Sequence, residues 1–418
     1  MKIGYKVFVG IIFLCLFVIS ANTVYAAKDE VLYQQSMDRR QALLSELETY
    51  VNIDSGSGDG AGLKKLQSQL IERLKEMGAE VKYEEVKAPQ AGYNIEAVWR
   101  GSGKGSILIL AHADTVYTSG TAAKRPFAMD TNRAYGPGVS DEKGGLTLAL
   151  NALSLLHENN FNDYEKITFF INPDEEKSST ESKERIRQLA KEHLYTLSVE
   201  PGIPGDAIMN WRKGSARLIM EVYGRNAHAG IEPEKGRNAT VELGHQLAQL
   251  YQKLDNPEKK STVAWTSLVA TKTPPNVIPD YASVLASVRV LYADEFNRIM
   301  KDAERISQNH LVPDTKVKFT LNVSRPPFSD NPSTDKLAQH MKSIYKDELR
   351  LPLGIEGSGG SSDANHAAAA GSITLDGLGL VGGNDHTPEE YIELSSIVPR
   401  LYLLTRTLMD IGSGKITP

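Results

Sequence analysis

The chain is nearly without cysteine: among 418 residues only Cys15 carries a thiol, inside an apolar leader. Disulfides and a cysteine nucleophile are thereby excluded once the leader is removed. Basic runs interleaved with aromatics are also missing, and the formal net charge is −5, so nothing marks a nucleic-acid partner. No Gly-rich phosphate loop follows a strand, which argues against a nucleotide-binding enzyme. Internal repeats and low-complexity tracts are absent. Without disulfides, an exported protein of this kind must rely on its core and on any metal it holds.

What is present begins with the leader. Met1–Lys6 is a short basic segment, Val7–Ser20 is apolar, and Val24-Tyr25-Ala26 fits a small-residue cleavage site. Residues 1–26 therefore read as a secretory signal peptide. The expectation is a secreted or periplasmic protein with no stable membrane association after cleavage. An uncleaved anchor is the alternative, but the apolar run is short for a membrane span. A lipoprotein site at Cys15 is disfavoured by the bulky Leu14 before it.

The length predicts two domains. Apolar periodicity places helices near Met37–Val51 and Leu63–Met77, the latter stopped by Gly78. Strand-like segments follow at Ala79–Val86, Tyr93–Trp99, Ile107–Ala111, Ile167–Ile171 and Leu197–Val199, with helices after Leu146 and over Lys183–His193. This alternation is that of a sheet covered by helices. The texture changes near Lys213-Gly214. Strands at 217–223, 263–270, 281–291 and 316–323, with helices at 240–254 and 296–310, predict an inserted ferredoxin-like α+β unit. After Arg325 the first pattern resumes, with a helix at 337–345, a strand at 373–375 and a last helix near 397–411. The expected fold class is α/β, a mixed and mostly parallel sheet covered by helices, with the inserted unit serving as a dimerisation domain. The expected division is 27–213 and 326–418 for the two parts of a catalytic domain and 214–325 for the insert.

Polar groups recur where apolar strands end: His112, Asp114, Asp141, Glu175, Glu176, Glu200 and later His386. Singly, each could be a helix cap or a satisfied surface group. Strand ends in one sheet converge on one edge, where unpaired carboxylates repel and a divalent cation relieves the cost. Imidazole with carboxylate and no thiolate suits zinc in a hydrolytic site. Such a site needs a general base outside the ligand set, and the neighbours Glu175 and Glu176 can divide those two tasks.

The motifs His112-Ala113-Asp114, Gly136-Pro137-Gly138 with Asp141-Glu142-Lys143-Gly144-Gly145, Asp174-Glu175-Glu176, Glu200-Pro201 and the late His386 resemble the co-catalytic zinc peptidases of the M20 family. The resemblance is to its glutamate carboxypeptidase (carboxypeptidase G2-like) branch and covers nearly the whole mature chain. It implies two Zn²⁺ per subunit bridged by Asp141, with His112 and Glu200 on one ion and Glu176 and His386 on the other. Glu175 would be the general base and Asp114 the partner that orients His112. In the insert, Gly224–Gly230 carries His228, which by resemblance reaches a neighbouring subunit's site and stabilises the oxyanion, implying a homodimer. Asn276 and Arg289 fall at substrate-binding positions, and Arg325 matches the arginine that holds the substrate's terminal carboxylate. Gly359 and Gly360 match a glycine-rich turn lining the substrate. Asp363 reads as a helix cap, and His366 as structural.

One departure concerns specificity. The glutamate-preferring pattern has a lysine shortly after the last carboxylate ligand, where this chain has Gly205-Asp206-Ala207-Ile208-Met209, with Arg212 and Lys213 the nearest cations. The implied function is release of a C-terminal amino acid, glutamate by resemblance, from a small peptide or N-acyl amino acid. An N-acyl-amino-acid deacylase or dipeptidase is an alternative within the family. A non-enzymatic exported binding protein is the alternative outside it, and a pure binder has no use for Glu175.

Overall fold

The apolar runs that end in acidic or imidazole residues lie side by side. In the computed structural model, which describes residues 27–418 apart from 88, 90, 271 and 272, Lys166–Asn172, Ser106–His112, Tyr195–Ser198 and Ile373–Leu375 are parallel neighbours in that order. Tyr93–Arg100 and Glu80–Glu85 add antiparallel strands at one edge of this six-stranded sheet. Ile107 and Ile109 pack into the main core, while Leu108 and Leu110 pack with Ile186 and Leu189 on the opposite face. Burial on both faces is why Ile107–Ala111 is continuously apolar. Because the four strands are parallel, their carboxyl ends share one edge of the sheet, the place where open α/β sheets bind ligands. The expected signal peptide and Cys15 lie outside the described residues.

Helix Lys143–Glu158 is buried along nearly its whole length, held between the sheet and helices Glu30–Val51 and Ile397–Gly412. Its amino end fits because Gly145 has no side chain: a Cβ there would stand 1.8 Å from the Val199 carbonyl oxygen. The first helix starts earlier than its leucine stripe suggests, at Glu30, with Asp29 accepting a bond from the Leu32 amide at 3.0 Å. No helix among the described residues is long and apolar enough to cross a membrane.

The second core belongs to the segment from Gly214 to Arg325. Strand Gly214–Tyr223, helix Ala239–Leu250, strands Thr262–Ala270 and Tyr281–Val290, helix Asp294–Ile306 and strand Lys316–Arg325 follow one another. The four strands form an antiparallel sheet in which Gly214–Tyr223 and Tyr281–Val290 are central, a ferredoxin-like arrangement. Leu218, Met220, Val284 and Val288 pack into this core with Leu243 and Ile299 of the helices. The alternate positions Ser215, Arg217, Ser287 and Arg289 line a cavity instead.

Several short strands escape the sequence patterns. Ala207–Arg212 pairs in parallel with Gly354–Ser358. Ala128–Met129, Arg133–Tyr135, Tyr391–Glu393 and Gly382–Gly383 form a small antiparallel sheet. These segments are short or glycine-containing, so no alternation of apolar and polar residues announces them.

Candidate metal centre and substrate cavity

The sheet edge gathers two groups of metal-binding donors that share one carboxylate. His112, Asp141 and Glu200 form one group and Asp141, Glu176 and His386 the other, each with its donor atoms within 4.8 Å of one another. Asp141 spans both: its Oδ1 lies 3.1 Å from His112 Nε2 and its Oδ2 lies 3.0 Å from His386 Nε2. Glu200 Oε1 stands 3.8 Å from His112 Nε2, and Glu176 Oε1 stands 3.3 Å from His386 Nε2. Glu175 belongs to neither group.

Each donor is placed by its element. His112 ends a parallel strand, Glu200 follows another, and Glu175–Lys177 is a 3₁₀ turn after a third. His112 Nδ1 contacts the Asp114 carbonyl oxygen at 2.9 Å. A carbonyl only accepts, so Nδ1 carries a proton, which leaves Nε2, turned toward Asp141, as the nitrogen that could bind a metal. Asp114 therefore orients His112 chiefly through its main chain, its carboxylate standing 3.4 Å away. That carboxylate accepts from the Glu175 amide (3.1 Å), the Glu176 amide (3.2 Å) and Ser57 Oγ (2.6 Å), and so anchors the turn that carries both glutamates. The loop bearing Asp141 is held by Glu390, which sequence reasoning missed. Its carboxylate accepts from the amides of Gly138, Ser140 and Asp141 at 3.0, 2.8 and 3.0 Å and from Tyr117 Oη at 2.6 Å. His386 lies on the loop just before Glu390, so one loop brings a donor and the clamp of the bridging carboxylate.

The charges at this edge are under strain without a cation. Burial, reinforced by Asp141, Glu142 and Glu175, lifts the Glu200 carboxyl well above the usual range. Burial also raises Glu176, and it pushes Glu175 up to about 8 against the pull of Arg325. Hydrogen bonds that its ring donates to the Asp141 and Glu176 carboxylates push His386 up to about 11. Glu142 Oε1 is buried without a hydrogen-bond partner, and Glu176 Oε1 meets only His386 Nε2. An orphaned acceptor and a nitrogen/oxygen donor set without thiolate fit Zn²⁺ or a similar divalent ion.

A cavity of about 720 Å³ opens above these groups, with Asp141, Glu175, Glu176, Glu200 and His386 among its lining residues. Its other wall carries Arg212, Arg217, Arg289 and Arg325. Arg325 donates to both the carbonyl and Oε1 of Glu175 at 2.6 Å, so it is tied to the expected general base and is not a free carboxylate clamp; its Nε is buried and unpartnered. Arg289 reaches Ser361 Oγ at 3.4 Å, and Arg325 Nη1 stands 3.5 Å from the Ser361 carbonyl, so the two guanidiniums flank one residue. Arg212 is engaged with Asp376 at 2.5 Å. Gly360 lines the cavity, and Gly359 precedes it in the same turn with open space around it.

The structure does not bring His228 and Asn276 to this cavity within one chain. Both are exposed, with the Asn276 amide 3.4 Å from His228 Nε2. His228 Nδ1 accepts from the Gly230 and Ile231 amides, which leaves the proton on the outward Nε2, the form an oxyanion donor needs. Asp363 is not the side-chain cap expected of it. It precedes helix Ala364–Ala369 without a capping bond and instead accepts from Asn172 and Ser179, below Arg325. His366 is buried outside the cavity lining, as a structural residue would be.

The sequence matches the model of peptidase family M20/M25/M40 over residues 108–410. It is 36% identical over 399 residues to carboxypeptidase G2 of Pseudomonas sp. (strain RS-16), covering 94% of this chain and 95% of that protein. Among solved structures, a tripeptidase from Staphylococcus aureus superposes with a TM-score of 0.76 at 21% identity, covering 89% of this chain and 98% of that one. A dinuclear metal-binding peptidase of the M20 family from Bacillus subtilis gives a TM-score of 0.66 at 13% identity, covering 90% and 99%. The two structural likenesses speak to the fold.

Proposed function

The chain belongs to peptidase family M20/M25/M40 and is a metallopeptidase, and from that premise we propose that it is an exported, co-catalytic zinc carboxypeptidase. It hydrolyses the amide bond to a C-terminal amino acid with a free carboxylate, glutamate being the expected residue. Membership of a peptidase family removes the binding-protein alternative. The observation that carries the reading is the pairing of Asp141, shared by two donor groups, with Glu175, which joins neither.

Two zinc ions in these groups would supply a polarised water and a positive clamp for the carbonyl oxygen. Glu175 takes a proton from the attacking water and passes it to the leaving nitrogen. A carboxyl pushed up to about 8 by burial suits both transfers near neutral pH. Arg325 holds Glu175 at the sheet edge, and Arg289, whose guanidinium meets only Ser361 Oγ, offers donors to the substrate's terminal carboxylate on the same cavity wall. The leaving residue thus lies against the sheet of the inserted unit. His228 and Asn276 present donors away from their own chain's cavity, which supports a homodimer through the segment 214–325, with His228 serving the partner's site. The leader supports export.

A deacylase or dipeptidase is the second reading. It is favoured by the absence of a lysine between Glu200 and Met209 and by the commitment of Arg212 to Asp376, which leave preference for the released residue less constrained.

The test is hydrolysis of a panel of N-acyl amino acids by the zinc-loaded mature protein, with and without chelator. Acyl-glutamates should be cleaved best, chelator should stop the reaction, and zinc should restore it. Failure to cleave any member, or cleavage indifferent to chelator, would contradict the proposal.

A further inference from the structure

The cavity has an acidic floor that two cations would neutralise, but its opposite wall holds four arginines, and only two of them have a carboxylate partner. Arg212 is paired with Asp376 and Arg325 with Glu175. Arg289 meets only Ser361, and Arg217 makes no hydrogen bond or ion pair among the described residues. The register fixes their order. Arg325 and Arg289 both lie opposite Ser215, and Arg217 lies opposite Ser287, two residues along the strand from that row. All face the same side of the sheet, so Arg217 stands roughly 7–8 Å at the backbone from Arg289, within reach of a long side chain. The row nearest Glu175 must receive the leaving residue, because Glu175 delivers the proton to its nitrogen. Arg217 is the next cation outward along that wall. Clustered guanidiniums without counterions favour a ligand that brings anions to both places.

We infer that Arg217 is a specificity-determining residue: with the main-chain carboxylate between Arg289 and Arg325, Arg217 binds the side-chain carboxylate of an acidic residue being released. The inference rests on the carboxypeptidase reading and deepens it. It also answers the lysine missing after Glu200, since the free cation comes from the inserted sheet, while Arg212 is spent on Asp376 and Lys213 lies outside the lining.

The experiment compares kcat/KM for matched acyl-Glu, acyl-Gln and acyl-Lys substrates in the zinc-loaded wild type and in Arg217→Gln, Arg217→Lys and Arg217→Glu. A charge-assisted bond predicts a wild-type preference for Glu over Gln of roughly 10- to 100-fold. Arg217→Gln should bring that ratio close to one, Arg217→Lys should retain part of it, and Arg217→Glu should turn the preference toward acyl-Lys. An unchanged ratio in Arg217→Gln overturns the inference. So does a loss confined to substrates with an anionic acyl group, such as succinyl-leucine against acetyl-leucine, which would place the subsite on the other side of the bond. Titration with free glutamate and free glutamine separates this inference from the reading beneath it. If the wild type cleaves nothing, the carboxypeptidase reading fails, yet glutamate binding that weakens in Arg217→Gln still supports the subsite, and glutamate binding that does not weaken overturns it.

Discussion

Replacing Glu390 by glutamine should damage metal binding although Glu390 faces no metal. Its two oxygens receive four donors: the Ser140 and Asp141 amides on Oε1, and the Gly138 amide and Tyr117 hydroxyl on Oε2. An amide in the same place keeps one oxygen and turns an N–H₂ group toward the rest. The Tyr117 hydroxyl can rotate to accept, but the Gly138 amide cannot, and a buried donor left facing a donor costs about 1–3 kcal/mol. The remaining bonds lose their charge assistance, about 1 kcal/mol more. Burial pushes the Glu390 carboxyl up to about 7, so removing its charge returns some desolvation energy, and the net loss should fall near 2 kcal/mol. Asp141 sits on the loop so released and is common to both donor groups, so affinity for both ions should fall together, each by roughly 10- to 100-fold. Urea titration reads the first effect and competition with a chromophoric chelator the second. Wild-type stability together with wild-type affinity at both sites would refute the clamp, and loss of one ion alone would refute the shared role of Asp141.

Asp376→Ala should cost about 3–5 kcal/mol, because it leaves the buried Arg212 without its partner, whereas the double change Arg212→Met with Asp376→Leu should recover most of that in the same urea titration; equal losses would contradict the pairing. Acid sensitivity should depend in part on His193, whose buried ring contacts the Leu189 carbonyl and Thr168 and is held down to about 4 by burial. Its folded-state pKa is below the ordinary value, so its contribution is complete above about pH 6.5 and is lost as pH falls toward 4, by about 3 kcal/mol at most. The stability difference between pH 7 and pH 4.5 should therefore shrink in His193→Gln, and an unchanged difference would count against the assignment.

Long periodic elements were legible in the sequence because their patterns are local. The parallel strand ending at His112 announces itself by an unbroken apolar run, the one ending at Asn172 by β-branched and aromatic residues, and the ferredoxin-like insert by its order of strands and helices. His112, Glu176 and Glu200 come together because each terminates or follows a parallel strand, and Asp141 and His386 join them from loops. What stayed hidden depends on distant partners. Glu390 reads as one of two adjacent surface acids until its amide donors, about 250 positions earlier, are seen around it. Arg325 lines the cavity, but its bond to Glu175, 150 positions away, is a tertiary fact. Asp363 precedes a helix as a cap should, and only the positions of Asn172 and Ser179 turn its carboxylate elsewhere.

The central claim is that two ions are held by the shared-carboxylate groups while Glu175 alone moves the proton. Its most direct test is the zinc content and turnover of Glu175→Gln beside the wild type, each dialysed to equilibrium against buffered zinc. The account predicts two ions per chain in both proteins and a kcat lower by roughly 10²- to 10⁴-fold in the variant. A variant that keeps wild-type turnover, or one that loses an ion along with its activity, would contradict it.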